Sequence, residues 1–362
     1  MPRTSKDDVP RRSTLDEVVR GIRQAAALKA ALELELFTRI AEGHHSLPAL
    51  LRASGLNDRG ARLLLDALVN INLVMRTGFE YLLTPTAEVF LVKGKPSYYG
   101  DALLAELAWD ARAQTMRSVR SGKPLSTLMV EGHSRLRVAR AAATWTDWQV
   151  AIQEFESIWD QVGVTADAAS PMHMLGLGAE SGIRLLPLVQ QNPNSRAVVV
   201  DNANMLLSLR GILDTLPVRP QYELVEGDWL AAGLPQDLEL VLVDSITPFQ
   251  GMEQNIGILH RAYESLRMSG RIVLRATVAD DDRKGPGVVP LFGLDLLIAA
   301  GEGDIYTVTE YRGMLEAAGF FEVKLLGDKP GLLTARRVPP PPPPPPSLTV
   351  APDFIPPPET RV

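Results

Sequence analysis

From about residue 170 to residue 338 the sequence alternates short apolar runs with stretches of helical character, and this alternation constrains the fold more than any other feature. The apolar runs are MHMLGLG, RAVVVDN, YELVEGD, LELVLVDS, RIVLRATV, FEVKLLGD and GLLTARRV. Because a helix between two strands brings the second strand back parallel to the first, the pattern predicts a mostly parallel sheet. The last two runs lie close together, as in a terminal hairpin. The predicted class is α/β, with a seven-stranded sheet in a domain spanning 166–338.

An N-terminal segment, 15–100, has a different pattern, in which helices precede a short hairpin. Ser46 and Asn57 stand where helix N-caps are expected, and Gly55 stands where a helix should stop. Two short strands are expected on either side of Gly78. Helices followed by such a hairpin are typical of a winged-helix domain. The helices are too apolar to be left uncovered, so we expect a homodimer formed through this domain.

A winged helix can also bind DNA, which requires several exposed Lys or Arg side chains on its recognition helix. The third helix offers only Arg59 and Arg62 near its start, and the chain has a net charge of -6. A DNA-binding regulator that senses a ligand through the second domain is therefore the least favoured hypothesis. No nucleic-acid partner is predicted.

The segment 101–165 is expected to be helical, linking the two domains and forming a pocket wall. Large apolar side chains recur there at helical spacing: Trp145, Trp148, Ile152, Phe155 and Trp159. Two compatible interpretations stay open. The stripe can be a packed helix face, or part of it, namely Trp148, Phe155 and Trp159, can line a pocket for an aromatic or polycyclic ligand.

The two ends of the chain, 1–14 and 339–362, are predicted to be disordered. The C-terminal end contains eight consecutive prolines, Pro339–Pro346, which favour polyproline II and cannot pair in a sheet. A docking site for a proline-reading partner is the alternative. No stretch reaches the roughly 18 apolar residues that span a membrane, and the N-terminus lacks the pattern of a signal peptide. With no cysteine and no metal-ligand spacing among the histidines, we expect a cytoplasmic protein without a metal site.

Three stretches fall at the carboxyl ends of predicted strands, where parallel sheets bind ligands. The first is GLGAESG, with Gly176, Gly178 and Gly182; the second is Asp201; the third is Asp228 with Trp229. Backbone N–H groups of the loop would face a ligand, Asp201 can bind two ribose hydroxyls, and Asp228 can accept from an adenine amine beside Trp229. A nicotinamide cofactor is disfavoured because Ser181 occupies the third position of a G-x-G-x-x-G pattern.

The chain from about 16 to 335 resembles the S-adenosylmethionine-dependent small-molecule O-methyltransferases that carry an N-terminal winged-helix dimerisation domain. The most specific stretches are ILHRAYESLRMSGRIVL and YTVTEYRGMLEAAGFFEV, supported by ALELELF, LLLDALVNINLV, VVVDNANML and EGDW. The resemblance implies a Rossmann-like methyltransferase domain, an obligate homodimer and S-adenosylmethionine as methyl donor. It also implies a small-molecule acceptor, usually with a phenolic or enolic hydroxyl.

The sequence departs from this family at both halves of the predicted site. The family's acid before the first loop glycine is Gly176 here, and Glu180 replaces a loop glycine. The family's proton-accepting His falls at Pro248, followed by Phe249. The two acids that orient that His in plant-type members fall near Ala276 and Ile305. Asp244, Glu253 and His260 are the remaining candidates for a base.

The favoured hypothesis is methyl transfer by proximity to a small hydroxylated aromatic or polycyclic metabolite, without a His base. The pocket is expected between the Trp145–Trp159 helix, the loop at Pro248 and Phe249, and the helix around Phe292–Ile298. The alternative is a family member that does not methylate, and that templates another reaction or acts as a dimeric scaffold.

Overall fold

The computed structural model describes residues 12–95, 97–124, 129–164, 169–327 and 331–338. Most of the predicted N-terminal lead and the whole proline-rich tail lie outside the described residues, so neither prediction is tested. Within the described part of the chain, no helix is long and apolar enough to cross a membrane.

The N-terminal region follows the predicted order of helices and hairpin. Its elements are α1 (Ser13–Glu33), α2 (Leu36–Ala41), α3 (Leu47–Ser54), α4 (Asp58–Asn70), β1 (Val74–Thr77), β2 (Glu80–Leu83) and α5 (Pro85–Phe90). The side chains of Ser46 and Asn57 accept the N-cap hydrogen bonds of α3 and α4, as their positions predict. Gly55 ends α3 in the left-handed region, with φ of 65°. Strands β1 and β2 pair antiparallel on either side of Gly78.

The described residues between 100 and 161 are largely helical. They form α6 (Gly100–Glu106), α7 (Trp109–Arg112), α8 (Thr115–Ser121), α9 (Met129–Thr146) and α10 (Trp148–Gln161). Helix α9 contacts α6 in the same helical segment and contacts α13 and α15 of the C-terminal domain. It therefore lies beside the cleft described below.

The C-terminal domain alternates strands and helices. Its elements are β3 (His173–Leu177), α11 (Glu180–Arg184), α12 (Leu186–Gln191), β4 (Arg196–Asp201), α13 (Ala203–Leu213), β5 (Tyr222–Glu226), β6 (Leu238–Asp244), α14 (Met252–Ser265), β7 (Leu266–Arg275), β8 (Val278–Ala279), α15 (Val289–Ala299), β9 (Tyr306–Thr307), α16 (Val308–Ala317), β10 (Phe321–Leu325) and β11 (Leu332–Arg336).

Seven strands form one sheet in the order β10-β11-β7-β6-β3-β4-β5. Strands β5, β4, β3, β6 and β7 are parallel, while β10 and β11 pair antiparallel as a terminal hairpin. The predicted α/β class and mostly parallel sheet are confirmed. The chain runs outward from β3 to β5 and then returns to β6 beside β3, so the carboxyl ends of β3 and β6 mark the switch point where such sheets bind ligands.

Candidate active site

The turn after β3 is fixed by the close approach of two strand ends. Gly178 has a φ of 98°, and its N–H donates to the carbonyl of Val200 at 3.1 Å. A Cβ at this position would lie 2.5 Å from the carbonyl oxygen of Asp244. Only glycine satisfies both the left-handed backbone and this contact, so Gly178 shapes the loop whether or not a ligand is bound.

The other two glycines of the motif are explained by packing inside the protein. A Cβ at Gly182 would meet the Leu209 side chain at 2.6 Å, which sets the contact between α11 and α13. A Cβ at Gly176 would lie 2.0 Å from Ser181 Oγ. The acid that the family carries at position 176 therefore has no room beside Ser181, and the two departures in the loop are physically linked.

Glu180 points inward from the loop rather than towards solvent. Its side chain is buried and accepts a hydrogen bond from Thr144 Oγ1 on α9 at 2.9 Å. Burial raises the pKa of the Glu180 carboxyl, and the nearby Asp244 carboxylate raises it further. Arg184 and Arg275 oppose the rise. Glu180 is therefore a carboxyl with a weakened preference for its charged form, placed directly beside the glycine turn.

Asp244, at the end of β6, is buried and paired with two arginines. Arg184 Nη1 donates to Asp244 Oδ2 at 2.8 Å, and Arg275 Nη1 lies 3.3 Å from Oδ1. Ser245 Oγ donates to the same Oδ1 at 2.9 Å. A carboxylate that accepts from three donors and is closed to solvent stabilises the fold and has no free oxygen with which to take a proton from an acceptor. Asp244 is therefore not a suitable base, contrary to the sequence-based prediction.

Asp201, at the end of β4, is fully buried and saturated with hydrogen bonds. Arg137 of α9 grips it with both terminal nitrogens, at 2.8 Å to Oδ1 and 2.8 Å to Oδ2. The backbone N–H groups of Ala179 and Asn202 donate to Oδ2 and Oδ1 at 2.8 and 2.7 Å. The guanidinium of Arg137 also lies over the Trp229 ring, with its carbon 4.8 Å from the ring centroid.

A cavity of about 380 Å³ opens beside this pair, and we call it the Asp228 cavity. Its wall includes Arg137, Asp201, Asp228 and Trp229. Asp228 is exposed and accepts from the N–H of Leu230 at 2.8 Å, while Trp229 is buried and donates to the carbonyl of Val200. The structure thus brings the second and third predicted stretches together at one edge of the sheet.

A second cavity, of about 260 Å³, is also lined by Arg137, and we call it the Phe292 cavity. The predicted pocket residues Pro248, Phe249 and Phe292 all line it, and the two rings meet edge to face with centroids 6.0 Å apart. The remaining wall is polar: Tyr99, Glu106, Arg137, Arg140, Thr144, Glu180, Ser245, Arg275 and Thr277. Charged residues of α9 and of strand ends therefore complete a cavity whose predicted residues are apolar.

The aromatic stripe of α10 lines neither of these cavities. Phe155 and Trp159 are buried in the core beneath the loop, and Trp159 Nε1 donates to the carbonyl of Arg184 at 2.9 Å. Trp148 is partly buried and packs against the same core. The packed-face interpretation holds for these residues, and the pocket-wall prediction is corrected, because α9 rather than α10 faces the cleft.

The side chains of the other two candidates for a base line neither cavity. Glu253 is exposed in the first turn of α14. His260 Nδ1 contacts the carbonyl of Ala318 at 3.2 Å, and its Nε2 lies 3.6 Å from Glu264. Both predictions are therefore corrected.

Sequence reasoning missed the polar face of α9. Arg137, Arg140 and Thr144 stand at positions i, i+3 and i+7, so they share one face of the helix. That spacing was visible in the sequence, within an otherwise alanine-rich stretch. It did not reveal the partners, because Asp201 lies 64 residues further along the chain.

The comparisons with known proteins agree with this architecture. Residues 17–93 match the family model of the O-methyltransferase dimerisation domain. Residues 138–321, about half of the chain, match the model of the O-methyltransferase domain.

Individual relatives cover most of the chain. The chain is 27% identical over 304 residues to the tetracenomycin polyketide synthesis 8-O-methyl transferase of Streptomyces glaucescens, covering 82% of this chain and 88% of that protein. It is 28% identical over 329 residues to the acetylserotonin O-methyltransferase of Bos taurus, covering 86% and 93%. The structure of human N-acetylserotonin methyltransferase in complex with S-adenosylmethionine superposes with a TM-score of 0.72 at 21% identity, covering 92% and 100%.

The glycine turn, the acid at the end of β4 and the paired domain models thus converge on one assignment. The chain belongs to the family of S-adenosylmethionine-dependent O-methyltransferases.

Proposed function

We propose that the protein transfers a methyl group from S-adenosylmethionine to a hydroxyl of a small aromatic or polycyclic metabolite. The observation that carries this proposal is the pair of adjoining cavities at the switch point, which share Arg137 as a common wall. One cavity has the carboxylates and the ring that suit an adenosine. The other has two edge-to-face rings that suit a flat acceptor.

The residues of the Asp228 cavity fit the donor on one condition. Asp201 would accept from the ribose hydroxyls, Asp228 from the adenine amine, and Trp229 would lie beside the adenine ring. The backbone of Gly178 and Ala179 borders the same edge, with the Ala179 N–H already bound to Asp201. Both oxygens of the Asp201 carboxylate already accept hydrogen bonds from Arg137. The ribose can therefore bind Asp201 only if Arg137 releases it.

On the acceptor side, the protein acts by orienting the acceptor hydroxyl towards the methyl group of the donor. When bound, S-adenosylmethionine supplies an electrophilic methyl group. Phe249 and Phe292 would hold an aromatic acceptor against it, and Pro248 has no side chain that could take a proton. Holding two reactants in line can contribute roughly 7–11 kcal/mol without a protein base. The acceptor hydroxyl must then release its proton to water before its oxygen attacks the methyl group, which leaves S-adenosylhomocysteine. Acceptors whose hydroxyl ionises easily are therefore the preferred substrates.

Two relatives indicate the type of acceptor. One is the tetracenomycin polyketide 8-O-methyl transferase, and another, from Streptomyces sahachiroi, is named 3-hydroxy-5-methyl-1-naphthoate 3-O-methyltransferase and is 24% identical over 312 residues. The first name describes O-methylation in the synthesis of a polyketide, and the second describes O-methylation of a hydroxylated naphthoate. The arginines of the Phe292 cavity agree with an acceptor that also bears an acidic group.

The protein is proposed to act as a homodimer. The outer face of α1 exposes Leu15, Val18 and Ile22, at 68%, 63% and 55% of their surface. These residues repeat at helical spacing, and Val18 and Ile22 lie within the matched dimerisation domain, which begins at residue 17. A partner subunit would cover this face.

One observation favours a second candidate function, a family member that does not methylate. Arg137 is hydrogen-bonded to both carboxylate oxygens of Asp201, and Glu180 lines the Phe292 cavity. If these side chains never yield to the donor, the cleft could bind an acceptor alone and template a different reaction.

The test is incubation of the full chain with methyl-labelled S-adenosylmethionine and a panel of hydroxylated naphthalenes and anthraquinones, with mass spectrometry of the products. A singly methylated product, reduced in Phe292→Ala but not in the remote surface variant Arg219→Gln, supports the proposal. Complete absence of methylated product across the panel, in a protein that binds the aromatic compounds, would instead favour the second candidate.

A further inference from the structure

The contact between Arg137 and Asp201 has a consequence for donor binding that goes beyond the proposed function while resting on it. We infer that Arg137 is a latch on the donor site, whose guanidinium competes with the donor for the Asp201 carboxylate. The pair is buried, with 4% of the Arg137 side chain and none of the Asp201 side chain exposed.

The competition follows from the number of acceptor positions on Asp201. A carboxylate offers about four lone-pair sites. Four donors fill them: Oδ1 accepts from Arg137 Nη1 and the Asn202 N–H, and Oδ2 from Arg137 Nη2 and the Ala179 N–H. The two backbone donors belong to the loops that form the site. A ribose can therefore gain its two hydrogen bonds only by displacing Arg137.

The same side chain also occupies the place beside Trp229. A guanidinium is planar and stacks on aromatic faces, as an adenine ring does. Its carbon lies 4.8 Å from the Trp229 centroid and 5.9 Å from the Phe249 centroid. Arg137 thus contacts both the ring assigned to the donor and a ring assigned to the acceptor, and it lines both cavities.

A displaced Arg137 has somewhere to go. A buried cation without an anion is strongly disfavoured, so the side chain needs a second partner. Glu106 and Glu180 line the Phe292 cavity together with Arg137. Burial is the largest cause that raises the pKa of each carboxyl, so each would gain from a cation close by. The latch can therefore swing from the donor side to the acceptor side without leaving the cleft.

The experiment is isothermal titration of the full chain with S-adenosylhomocysteine, the demethylated donor, which binds without turnover. The latch predicts that Arg137→Gln binds about ten-fold more tightly than the wild type, as when a competent state rises from a tenth of the population to nearly all of it. Arg137→Lys keeps the charge but loses the two-pronged grip, and should fall between them. Arg219→Gln, which removes an exposed Arg–Asp pair, is the matched control and should bind like the wild type.

A kinetic measurement on the unaltered protein tests the same inference even if a variant fails to fold. With a latch that must open first, the observed rate of S-adenosylhomocysteine binding to the wild type levels off as ligand is increased. A rate that rises linearly throughout would overturn the latch.

The outcomes separate the latch from the proposed function. Equal affinity of the wild type and Arg137→Gln, or weaker binding by the variant, overturns the latch and leaves the donor site in place. If neither protein binds S-adenosylhomocysteine at millimolar concentration, both the latch and the proposed function fail. Tighter binding of S-adenosylhomocysteine by Arg137→Gln, together with a wild-type binding rate that levels off as ligand is increased, establishes the latch.

Discussion

Arg184 of α11 and Asp244 of β6 form a buried ion pair, with 2.8 Å between Nη1 and Oδ2 and side-chain exposures of 2% and 0%. This pair connects the helix after the glycine turn to the strand on the other side of the switch point. Removing one partner of a buried pair leaves an unpaired charge and typically costs about 3–5 kcal/mol. The pair is therefore expected to hold the loop in place rather than to take part in chemistry.

Arg184→Met should lower the free energy of unfolding by about 3 kcal/mol, because Asp244 would keep only Arg275 as a cationic partner. Urea unfolding followed by circular dichroism measures the change. Arg219→Gln is the control, since its pair with Asp214 is exposed and such pairs are worth about 1 kcal/mol or less. Equal losses in the two variants would show that burial of the Arg184–Asp244 pair has no energetic role.

Gly176→Ala should be strongly destabilising in the wild type and less so in a Ser181→Ala background. The added Cβ would lie 2.0 Å from Ser181 Oγ, and the second change removes that oxygen. A double-mutant cycle of unfolding free energies should give a coupling of about 1 kcal/mol or more, in favour of the double variant. Strict additivity would mean that Ser181 is not the reason for glycine at position 176.

Glu180→Gln should change how stability depends on pH. The raised pKa means that the folded state holds its proton more tightly than the unfolded state, whose carboxyl titrates near 4.5. The stabilisation from the protonated carboxyl is thus complete below pH 4.5 and is lost as pH rises through the raised folded value. Gln keeps an acceptor for Thr144 but does not titrate.

The measurement is the melting temperature of both proteins from pH 4 to pH 8. The melting temperature of Glu180→Gln minus that of the wild type should increase with pH across this window and then level off. A difference that stays constant over the whole range would contradict an inward, proton-retaining Glu180.

Asp201→Ala should reduce stability as well as donor binding, because it strands the buried guanidinium of Arg137. The expected loss in the free energy of unfolding is about 3 kcal/mol. The double variant Arg137→Gln with Asp201→Asn should recover much of this stability, since neither charge remains. Thermal unfolding of the three proteins checks this, and a double variant no more stable than Asp201→Ala would refute the pairing. Loss of activity in Asp201→Ala alone would not distinguish a ligand contact from this structural effect.

The strands and their mostly parallel arrangement could be predicted because each strand is encoded locally, as an apolar run with turn residues at its ends. The order of the strands was not predicted, because it depends on contacts between distant runs. Ser46, Gly55 and Asn57 likewise act within a turn of their own position, and the structure confirms them. β4 ends at Asp201, as its apolar run predicts, whereas β5 ends at Glu226, two residues before Asp228. Asp201 and Asp228 both line the Asp228 cavity.

The side chains that line the cleft could not be predicted, because they depend on which face of α9 packs against the sheet. Nothing local pairs Arg137 with Asp201 or Thr144 with Glu180, which lie 64 and 36 residues apart. The stripe of α10 was conspicuous because it is aromatic. Aromatic side chains serve cores as often as pockets, and here Phe155 and Trp159 serve the core. The less conspicuous polar face of α9 borders both cavities.

The most direct test of the account is titration of the wild-type chain with S-adenosylhomocysteine, repeated with Trp229→Ala. We expect one saturable site per chain for the wild type, with affinity lowered when the ring beside the donor is removed. The absence of saturable binding at millimolar ligand, in the wild type and in Arg137→Gln alike, would contradict the claim that this cleft holds the methyl donor.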